Sequence, residues 1–267
     1  MQLQDRCILL TGATGGIGRA AALQLAARGA RLWLSGRREG ELQELAAQIR
    51  REGGRAEVLV ADLNERGAAR DMISRLRSLE PRLDIVINCA GTMHFGYFES
   101  TPPEAFEQLW RTNVLAPMQL AQAALPVLRQ GGGLIVNVGS IFGSIAFPCF
   151  ATYSSTKFAL RGFSEALRRE LSGSGVDVLY FAPRYTRTAL NSGAISAMAS
   201  ALAMNQDEPE AVGAALVEAI ERNRKERYLG WPEKLFVRIN AWFPRLVDAA
   251  LRKQGQQMRP YALRQLP

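Results

Sequence analysis

Several kinds of residue are scarce in this chain, and each scarcity excludes a kind of chemistry. Its 267 residues include one histidine, His94, and three cysteines. A Ser-His-Asp hydrolase would have to use His94, which lacks the nucleophile-elbow setting, and metal catalysis is equally unsupported. The cysteines are odd in number, widely spaced and in apolar surroundings, so we expect free thiols in a reducing cytoplasm.

Long apolar runs and linkers are missing as well. No run approaches the roughly 18 residues of a membrane-spanning helix, and no internal repeat or low-complexity segment divides the chain. The first predicted strand starts within a few residues of the N-terminus, so we expect no signal peptide. With 48% apolar residues, the sequence predicts one globular domain with a large core, located in the cytoplasm.

Basic residues outnumber acidic ones, but their distribution does not indicate nucleic-acid binding. The formal net charge is +8, and the arginines are scattered over predicted helices without a basic run or interleaved aromatic residues. Residues 231–267 hold seven basic and two acidic side chains, a net charge of +5, which leaves +3 for the remainder. We therefore expect no nucleic-acid partner.

Lysine is rare too, with 4 Lys against 29 Arg, and the position of one lysine relative to a tyrosine indicates a function. Lys157 follows Tyr153 by four residues, and positions i and i+4 share one face of a helix. A phenol titrates near 10, and a cation at roughly 4 Å favours the phenolate by about 4 kcal/mol in an effective dielectric of about 20. We expect Lys157 to lower the pKa of Tyr153 and make it a general acid or base. The alternative is a surface Tyr-Lys pair on an amphipathic helix.

A glycine-rich loop stands at the first predicted strand–helix junction. The apolar run Cys7–Leu10 precedes the segment Gly12–Gly18, and apolar residues at helical spacing follow as far as Gly29. Such glycines permit a tight turn and close approach of the backbone to a pyrophosphate, while the helix N-terminus offers free N–H groups to the anion. The alternative is a glycine-rich turn without a ligand.

The residues after the second predicted strand, 31–35, indicate which dinucleotide binds. NAD-binding folds commonly place a carboxylate here for the ribose 2′-hydroxyl, whereas an arginine suits a 2′-phosphate. The strand ends at Gly36-Arg37-Arg38, and no acidic residue occurs between Gly18 and Arg38. We predict NADP(H) as the cofactor, with Arg37 binding the 2′-phosphate. The alternative, two solvated arginines at a helix start, fits Arg38 better than Arg37.

Apolar runs that alternate with helical stretches predict the fold. They indicate a single-domain α/β protein with a Rossmann-type, doubly wound parallel sheet and helices on both faces. Further strands are predicted at residues 56–60, 84–88, 134–138 and 176–181, and helices fill most of the gaps.

Ligand chemistry in such sheets is expected at the carboxyl ends of the strands, where three polar residues attract attention. Ser140 follows strand 134–138, 13 residues before Tyr153, and its hydroxyl can bond the substrate oxygen that Tyr153 protonates; the alternative is a turn serine. Asn88 ends strand 84–88. Asn113 lies within a long predicted helix, 103–128, and needs a partner if buried; the alternative is a capped kink ahead of Pro117.

These motifs, in this order, resemble the short-chain dehydrogenase/reductase family in its single-domain form over about residues 5–230. The run Asn88-Cys89-Ala90-Gly91 is similar to the family's Asn-Asn-Ala-Gly. The resemblance implies a catalytic set of Asn113, Ser140, Tyr153 and Lys157. It implies cofactor contacts, including those of Tyr153 and Lys157, from Gly12, Thr14, Gly15, Gly16, Ile17, Gly18, Arg37, Arg38, Asp62, Leu63, Asn88, Ala90, Gly91, Pro183, Thr186 and Thr188.

The resemblance also implies a reaction. An NADPH-dependent carbonyl reductase or alcohol dehydrogenase passes a hydride between nicotinamide and the carbonyl carbon. Tyr153 then acts as general acid or base, Lys157 lowers its pKa and holds the nicotinamide ribose, Ser140 polarises the carbonyl, and Asn113 holds a water that links Lys157 to solvent. A homodimer or homotetramer is expected. Two alternatives stay open: a non-catalytic NADP(H)-binding regulatory protein, and an isomerase or dehydratase on the same fold.

Three departures from the family pattern stand out. Arg184 follows Pro183 where the family usually has glycine, so the backbone beside the nicotinamide is expected to differ. Gly15 occupies a position where some NADP-dependent members carry a basic residue. The stretch after about Trp231 is longer than in many compact members. We accordingly divide the chain into a catalytic domain, 1–230, and a C-terminal helical extension, 231–267.

The loops expected around the substrate are largely apolar and aromatic. They are the loop after Gly91, the segment 142–150 and the segment 185–204, and the first contributes Met93, His94, Phe95 and Tyr97. This composition favours a lipophilic carbonyl or alcohol, such as a steroid-like, retinoid-like or acyl-chain compound, over a sugar. Residues 184–206 are expected to form a mobile lid. The alternative is that these loops pack on one another.

The C-terminal extension shows a basic amphipathic pattern over residues 235–253. Apolar residues recur at helical spacing, Arg238, Arg245, Arg252 and Lys253 fall between them, and Pro244 is expected to kink or divide the helix. We expect the apolar face to pack on the chain's own domain, where it closes the substrate pocket or forms a dimer contact. The alternative is weak contact with a membrane surface.

Overall fold

The computed structural model describes residues 1–191 and 193–263 of the chain, which form one parallel sheet covered by helices. The sheet order is β3-β2-β1-β4-β5-β6-β7, and every pairing is parallel. The predicted Rossmann-type fold is therefore confirmed. The strands are β1 (Cys7–Thr11), β2 (Arg31–Gly36), β3 (Arg55–Val60), β4 (Ile85–Asn88), β5 (Gly133–Val138), β6 (Val176–Ala182) and β7 (Glu226–Tyr228).

Helices cover both faces of this sheet because successive strand side chains point to opposite sides. In β1, Ile8 and Leu10 join one core cluster with α1, α2 and α8, whereas Cys7 and Leu9 join another with α3, α5 and α6. The helices are α1 (Gly16–Ala26), α2 (Glu39–Arg51), α3 (Ala68–Leu79), α4 (Pro103–Trp110), α5 (Ala116–Gly131), α6 (Ala151–Glu170), α7 (Ala194–Ala201), α8 (Pro209–Glu221), α9 (Glu233–Trp242) and α10 (Pro244–Leu263).

The last strand is the one that the sequence did not predict. β7 has three half-buried residues, Glu226-Arg227-Tyr228, with no apolar run. It is a strand because it pairs with β6 along Tyr180–Ala182. Such a short edge strand depends on its neighbour rather than on its own propensity.

The predicted helix 103–128 is interrupted by a π-helical turn at Arg111–Leu115. Pro117 has no N–H and cannot donate to the carbonyl of Asn113 four residues earlier. The N–H of Ala116 donates instead to the carbonyl of Arg111, five residues back. Pro117 thus explains a wide turn at the position of a candidate catalytic residue, where such turns are often found.

The C-terminal extension, as far as the described residue 263, forms two helices. α9 ends at Trp242 and α10 begins at Pro244, so the proline divides the helix, as predicted. Proline suits the first position of a helix because its missing N–H has no partner there anyway. Among the described residues, no helix is both long and apolar enough to cross a membrane.

Candidate active site

A cavity of about 1060 Å³ opens at the carboxyl ends of the strands. Its walls come from the segments that follow β1 to β6, from α7, and from α9 and α10. Convergence of loops at this edge is what a doubly wound sheet produces. Every predicted cofactor-binding residue lines the cavity except Asn88, and every predicted catalytic residue except Asn113.

The glycine loop packs closely against its neighbours and leaves the N-terminus of α1 uncapped. Gly12 has a φ of +65°, and a Cβ there would lie 2.6 Å from the backbone N of Ala90. A Cβ at Gly16 would lie 2.6 Å from Cγ2 of Thr188. α1 begins at Gly16 without a capping side chain, so its first N–H groups are available to an anion. These features fit a dinucleotide pyrophosphate.

The two arginines after β2 differ in how they are engaged. Arg38 donates to Oγ1 of Thr14 at 3.0 Å and pairs with Glu41 at 2.7 Å. The side chain of Arg37 is 65% exposed, and its nearest carboxylate, Asp62, lies 3.9 Å away. A guanidinium at the cavity wall without a close partner can bind a phosphate through two parallel hydrogen bonds. Arg37 is accordingly the better candidate for the 2′-phosphate.

α6 brings Tyr153 and Lys157 to the cavity side by side. Both side chains are buried, and Nζ of Lys157 lies 5.6 Å from the centroid of the Tyr153 ring. Lys157 donates to the carbonyl of Val138 at 3.2 Å. Ser140 caps the short helical turn after β5, where its Oγ accepts from the N–H of Phe142 at 3.1 Å.

The prediction that Lys157 lowers the pKa of Tyr153 is wrong, because the pKa is raised. Burial raises the pKa of Tyr153 to about 12, and the hydrogen bond with Ser140 opposes the rise. Burial also lowers the pKa of Lys157 to about 8. The Lys157 ammonium is itself desolvated, and it bonds a backbone carbonyl rather than the phenol. A cation at 4 Å from the phenolate therefore overstates how much Lys157 lowers the pKa of Tyr153. Tyr153 holds its proton at neutral pH.

The two asparagines lie behind the cavity wall. Asn88 is buried and donates to Oδ1 of Asn137 at 2.8 Å, a contact inside the sheet rather than towards the cavity. Asn113 accepts from the N–H of Thr92 at 2.9 Å and donates to Oγ1 of Thr156 at 3.1 Å. A Cβ at Gly91 would lie 3.4 Å from Oδ1 of Asn113 and 3.8 Å from Nζ of Lys157. Gly91 therefore keeps a small space open between them.

Aromatic and aliphatic side chains form the wall opposite the glycine loop. Phe142 and Phe147 stack with centroids 4.7 Å apart, and Phe150 lies edge-on to Tyr153 at 6.4 Å. The loop after Gly91 contributes Met93 to the wall, whereas His94, Phe95 and Tyr97 do not line it. Their predicted place in the pocket is wrong, because Phe95 turns into the cluster behind and packs on Phe150.

Three further contributions complete this site, and sequence reasoning anticipated only the first. α10 closes the apolar wall through Val247, Leu251 and Met258 among others. Arg184 forms a two-point pair with Asp207, at 2.9 and 2.8 Å, and also bonds Glu233 at the start of α9. Tyr180 bonds the backbone of Ser140. The departure at Arg184 was visible in the sequence, but its partners, 23 and 49 residues away, were not.

Neither Cys89 nor Cys149 offers a reactive thiolate here. Burial raises the pKa of Cys89 to about 12 although Lys157 is near, and burial also raises the pKa of Cys149. All three cysteines are free, as predicted. Within the described residues no cluster of potential metal ligands occurs.

Known proteins resemble this chain over most of its length. A model of the short chain dehydrogenase family matches residues 6–199. An uncharacterized oxidoreductase of Bacillus subtilis is 31% identical over 259 residues, 94% of this chain and 73% of its own length.

Solved structures agree. A short-chain dehydrogenase from Sphingobium yanoikuyae in complex with NADPH is 31% identical, with a TM-score of 0.76 over 93% of this chain and 94% of that one. A short chain dehydrogenase/reductase from Burkholderia phymatum in complex with NAD superposes with a TM-score of 0.83, over 92% and 96% of the two chains; at 21% identity it shows the fold alone.

The fold and these comparisons together define an oxidoreductase with a Rossmann-type parallel sheet. The chain belongs to the short-chain dehydrogenase/reductase family.

Proposed function

We propose that the protein is an NADPH-dependent carbonyl reductase or alcohol dehydrogenase for lipophilic ketones, aldehydes or secondary alcohols. The observation that carries this proposal is the joint position of Ser140, Tyr153 and Lys157 on the wall of the cavity that also holds the glycine loop. When bound, the nicotinamide supplies or accepts the hydride.

The chain's own residues supply the proton and orient the carbonyl. Tyr153 keeps its proton at neutral pH and donates it to the substrate oxygen in reduction. Because Oγ of Ser140 accepts from Phe142, its O–H remains free to donate to the same oxygen. Lys157 holds the ribose and stabilises the phenolate left behind, and Asn113 orients a water in the space at Gly91 that returns the proton.

The cavity wall supports a lipophilic substrate. Stacked phenylalanines on one side and α7 and α10 on the other leave an apolar space beyond Tyr153, and apolar pockets with few polar groups select apolar ligands. We keep residues 1–230 as the catalytic domain, with a lid at about 184–206, and 231–267 as the extension. Ser192 and residues 264–267 of these segments lie outside the described residues.

We further propose that the extension touches an anionic membrane surface from the cytoplasmic side. α9 has no buried residue, and Trp231, Trp242, Phe243 and Leu246 are exposed, Trp242 to 79%. Residues 231–263 carry six basic and two acidic side chains. In a twofold contact between two copies of the chain, this basic surface would face the same basic surface of the other copy and be repelled. Anionic lipids attract it instead, and aromatic rings are favoured at the membrane–water interface.

Assembly into a homodimer or homotetramer is proposed through another surface. Exposed apolar side chains lie on the neighbouring segments α4 to α6, at Trp110, Leu115, Met118 and Phe158. They are separate in sequence from α9 and α10.

A cofactor-preference experiment tests the proposal. We expect NADPH, and not NADH, to be consumed with members of a panel of lipophilic ketones and aldehydes, followed at the nicotinamide absorbance. Arg37→Asp should reverse the preference, because a carboxylate repels the 2′-phosphate and suits a free 2′-hydroxyl. Arg38→Asp is the matched control and should shift the preference less, since Arg38 is held by Thr14 and Glu41. Equal wild-type affinity for both cofactors would remove the basis of the assignment.

A further inference from the structure

Tyr180, on β6, is a buried phenol that the proposed reaction does not use. It is 1% exposed and is among the largest fully buried side chains. Its hydroxyl donates to the carbonyl of Ser140 at 3.0 Å and accepts from the N–H of Ser140 at 3.3 Å. One side-chain atom thus bonds both backbone polar groups of Ser140, whose carbonyl also accepts from the N–H of Gly143 at 3.0 Å.

The surrounding backbone is shaped to admit this ring. A Cβ at Gly139 would overlap the ring and hydroxyl of Tyr180, and a Cβ at Gly143 would overlap its hydroxyl. Neither glycine has a positive φ, so what they provide is space rather than an unusual conformation. The approach of this phenol therefore explains Gly139, while Gly143 makes room both for the phenol and for the backbone of Lys157, 2.7 Å from its would-be Cβ.

Neighbouring contacts brace the same loop from further away. Tyr228, on β7, lies edge-on to Tyr180 with centroids 6.1 Å apart, and its hydroxyl bonds that of Ser144 at 3.0 Å. Asn240, on α9, donates to the carbonyl of Ser144 at 2.8 Å. The contacts of Tyr228 and Asn240 reach the end of the loop, whereas those of Tyr180 reach Ser140 itself.

We propose that Tyr180 is a positioning residue that fixes the backbone of Ser140 and thereby keeps its hydroxyl aimed at Tyr153 and the substrate oxygen. A phenol that both donates and accepts holds the peptide groups on either side of a residue, which a single bond does not. Burial raises the pKa of Tyr180, so the hydroxyl stays protonated and able to donate. The inference rests on the proposed function for its effect on turnover.

The test compares Tyr180→Phe with Tyr228→Phe, since each removes one hydroxyl and keeps the ring. For Tyr180→Phe we expect kcat to fall about 10-fold or more, because small misplacements of reacting groups are costly, with NADPH affinity and KM little changed. The basic limb of the pH–rate profile should move to higher pH, because a displaced Ser140 no longer opposes the raised pKa of Tyr153. Tyr228→Phe should leave kcat and the profile near wild type.

Hydrogen exchange gives a readout that does not depend on turnover. Loss of the Tyr180 hydroxyl should speed exchange of the Ser140 amide, while Tyr228→Phe should not. Faster exchange with unchanged kcat and pH profile would overturn the positioning role, and unchanged exchange would overturn the contact itself. If the wild-type protein turns over no substrate, the proposed function is contradicted. Exchange of the Ser140 amide still shows in that case whether the Tyr180 hydroxyl holds the Ser140 backbone.

A rescue variant gives an independent test of the same contact. Removing the ring by Tyr180→Ala opens the space that a side chain at Gly139 would occupy. Adding Gly139→Ser should then return a hydroxyl to this place and recover part of the kcat lost in Tyr180→Ala. Failure of the double variant to recover any kcat, in a folded protein, argues against the proposal.

Discussion

At the scale of single residues, burial of the Lys157 charge beside Tyr153 on α6 lowers the stability of the folded protein. Lys157 is almost fully buried and its charge meets one backbone carbonyl. Within the described residues no carboxylate pairs with it, so burial lowers its pKa. A buried cation without a counter-charge destabilises the protein alone, and it is retained because the proposed reaction needs it.

This cost predicts a pH dependence of stability. The pKa of Lys157 is about 8 in the folded protein, against 10.5 ordinarily. Between these values the unfolded chain binds more protons, so stability rises with pH through the window and is lost as pH falls through 8. We expect the cofactor-free wild type to gain about 2 kcal/mol between about pH 8 and about pH 10 relative to Lys157→Met.

Chemical denaturation at the two pH values measures this difference. Other ionisable groups contribute equally to both proteins and cancel. Lys253→Met, at an exposed lysine of α10, is the control and should follow the wild type. Parallel pH dependence in the wild type and Lys157→Met would contradict the burial argument.

Residue spacing revealed which side chains belong to the site but not how each is held. Glycine, serine, tyrosine and lysine at family spacings pointed to one cavity. The pKa of Tyr153 was predicted in the wrong direction, because desolvation depends on how many atoms surround a group, which spacing does not reveal. For Asn88, spacing suggested a cofactor contact but did not reveal that its side chain bonds Asn137 within the sheet.

At the scale of elements, α9 and α10 have two different faces. Val247, Met258 and Ala262 of α10 are buried against the domain, whereas the largest side chains of α9 and of the turn at Pro244 are exposed. The Arg184 pairs with Asp207 and Glu233 tie the start of α9 to the loop before α8. The periodic apolar pattern predicted these helices, but not which of its members meet the domain.

The exposed face predicts binding to anionic vesicles. We expect the wild type to sediment with vesicles containing phosphatidylserine, less at high salt, and not with phosphatidylcholine alone. The variant Trp242→Ser/Phe243→Ser should lose sedimentation and keep its oligomeric state. Leu79→Ser, which removes an apolar side chain 60% exposed at the end of α3, is the control and should still bind.

Other outcomes would redirect the interpretation. No sedimentation of the wild type contradicts the membrane proposal. A double variant that instead becomes a smaller oligomer would identify the face as a contact between copies.

At the scale of the whole molecule, the layered architecture was predictable because parallel strands read as buried apolar runs. Six of the seven strands were predicted within a residue or so. β7 was not, since Glu226-Arg227-Tyr228 becomes a strand only by pairing with β6. Closing of the cavity by the extension was expected as one way for its apolar face to pack, but the particular contacts were not, because they join segments about 100 residues apart, such as Pro148 and Gly255.

The proposed reaction depends most on Tyr153 as the group that donates the proton to the substrate oxygen. The decisive measurement is kcat of Tyr153→Phe with NADPH and an accepted ketone, beside the NADPH dissociation constant. Loss of acid catalysis should lower kcat at least about 10²-fold, while cofactor affinity stays near wild type because the ring still packs against Phe142 and Phe150. Tyr185→Phe, at another tyrosine of the cavity wall, should retain most of its kcat. A Tyr153→Phe protein that keeps half the wild-type kcat would contradict the account.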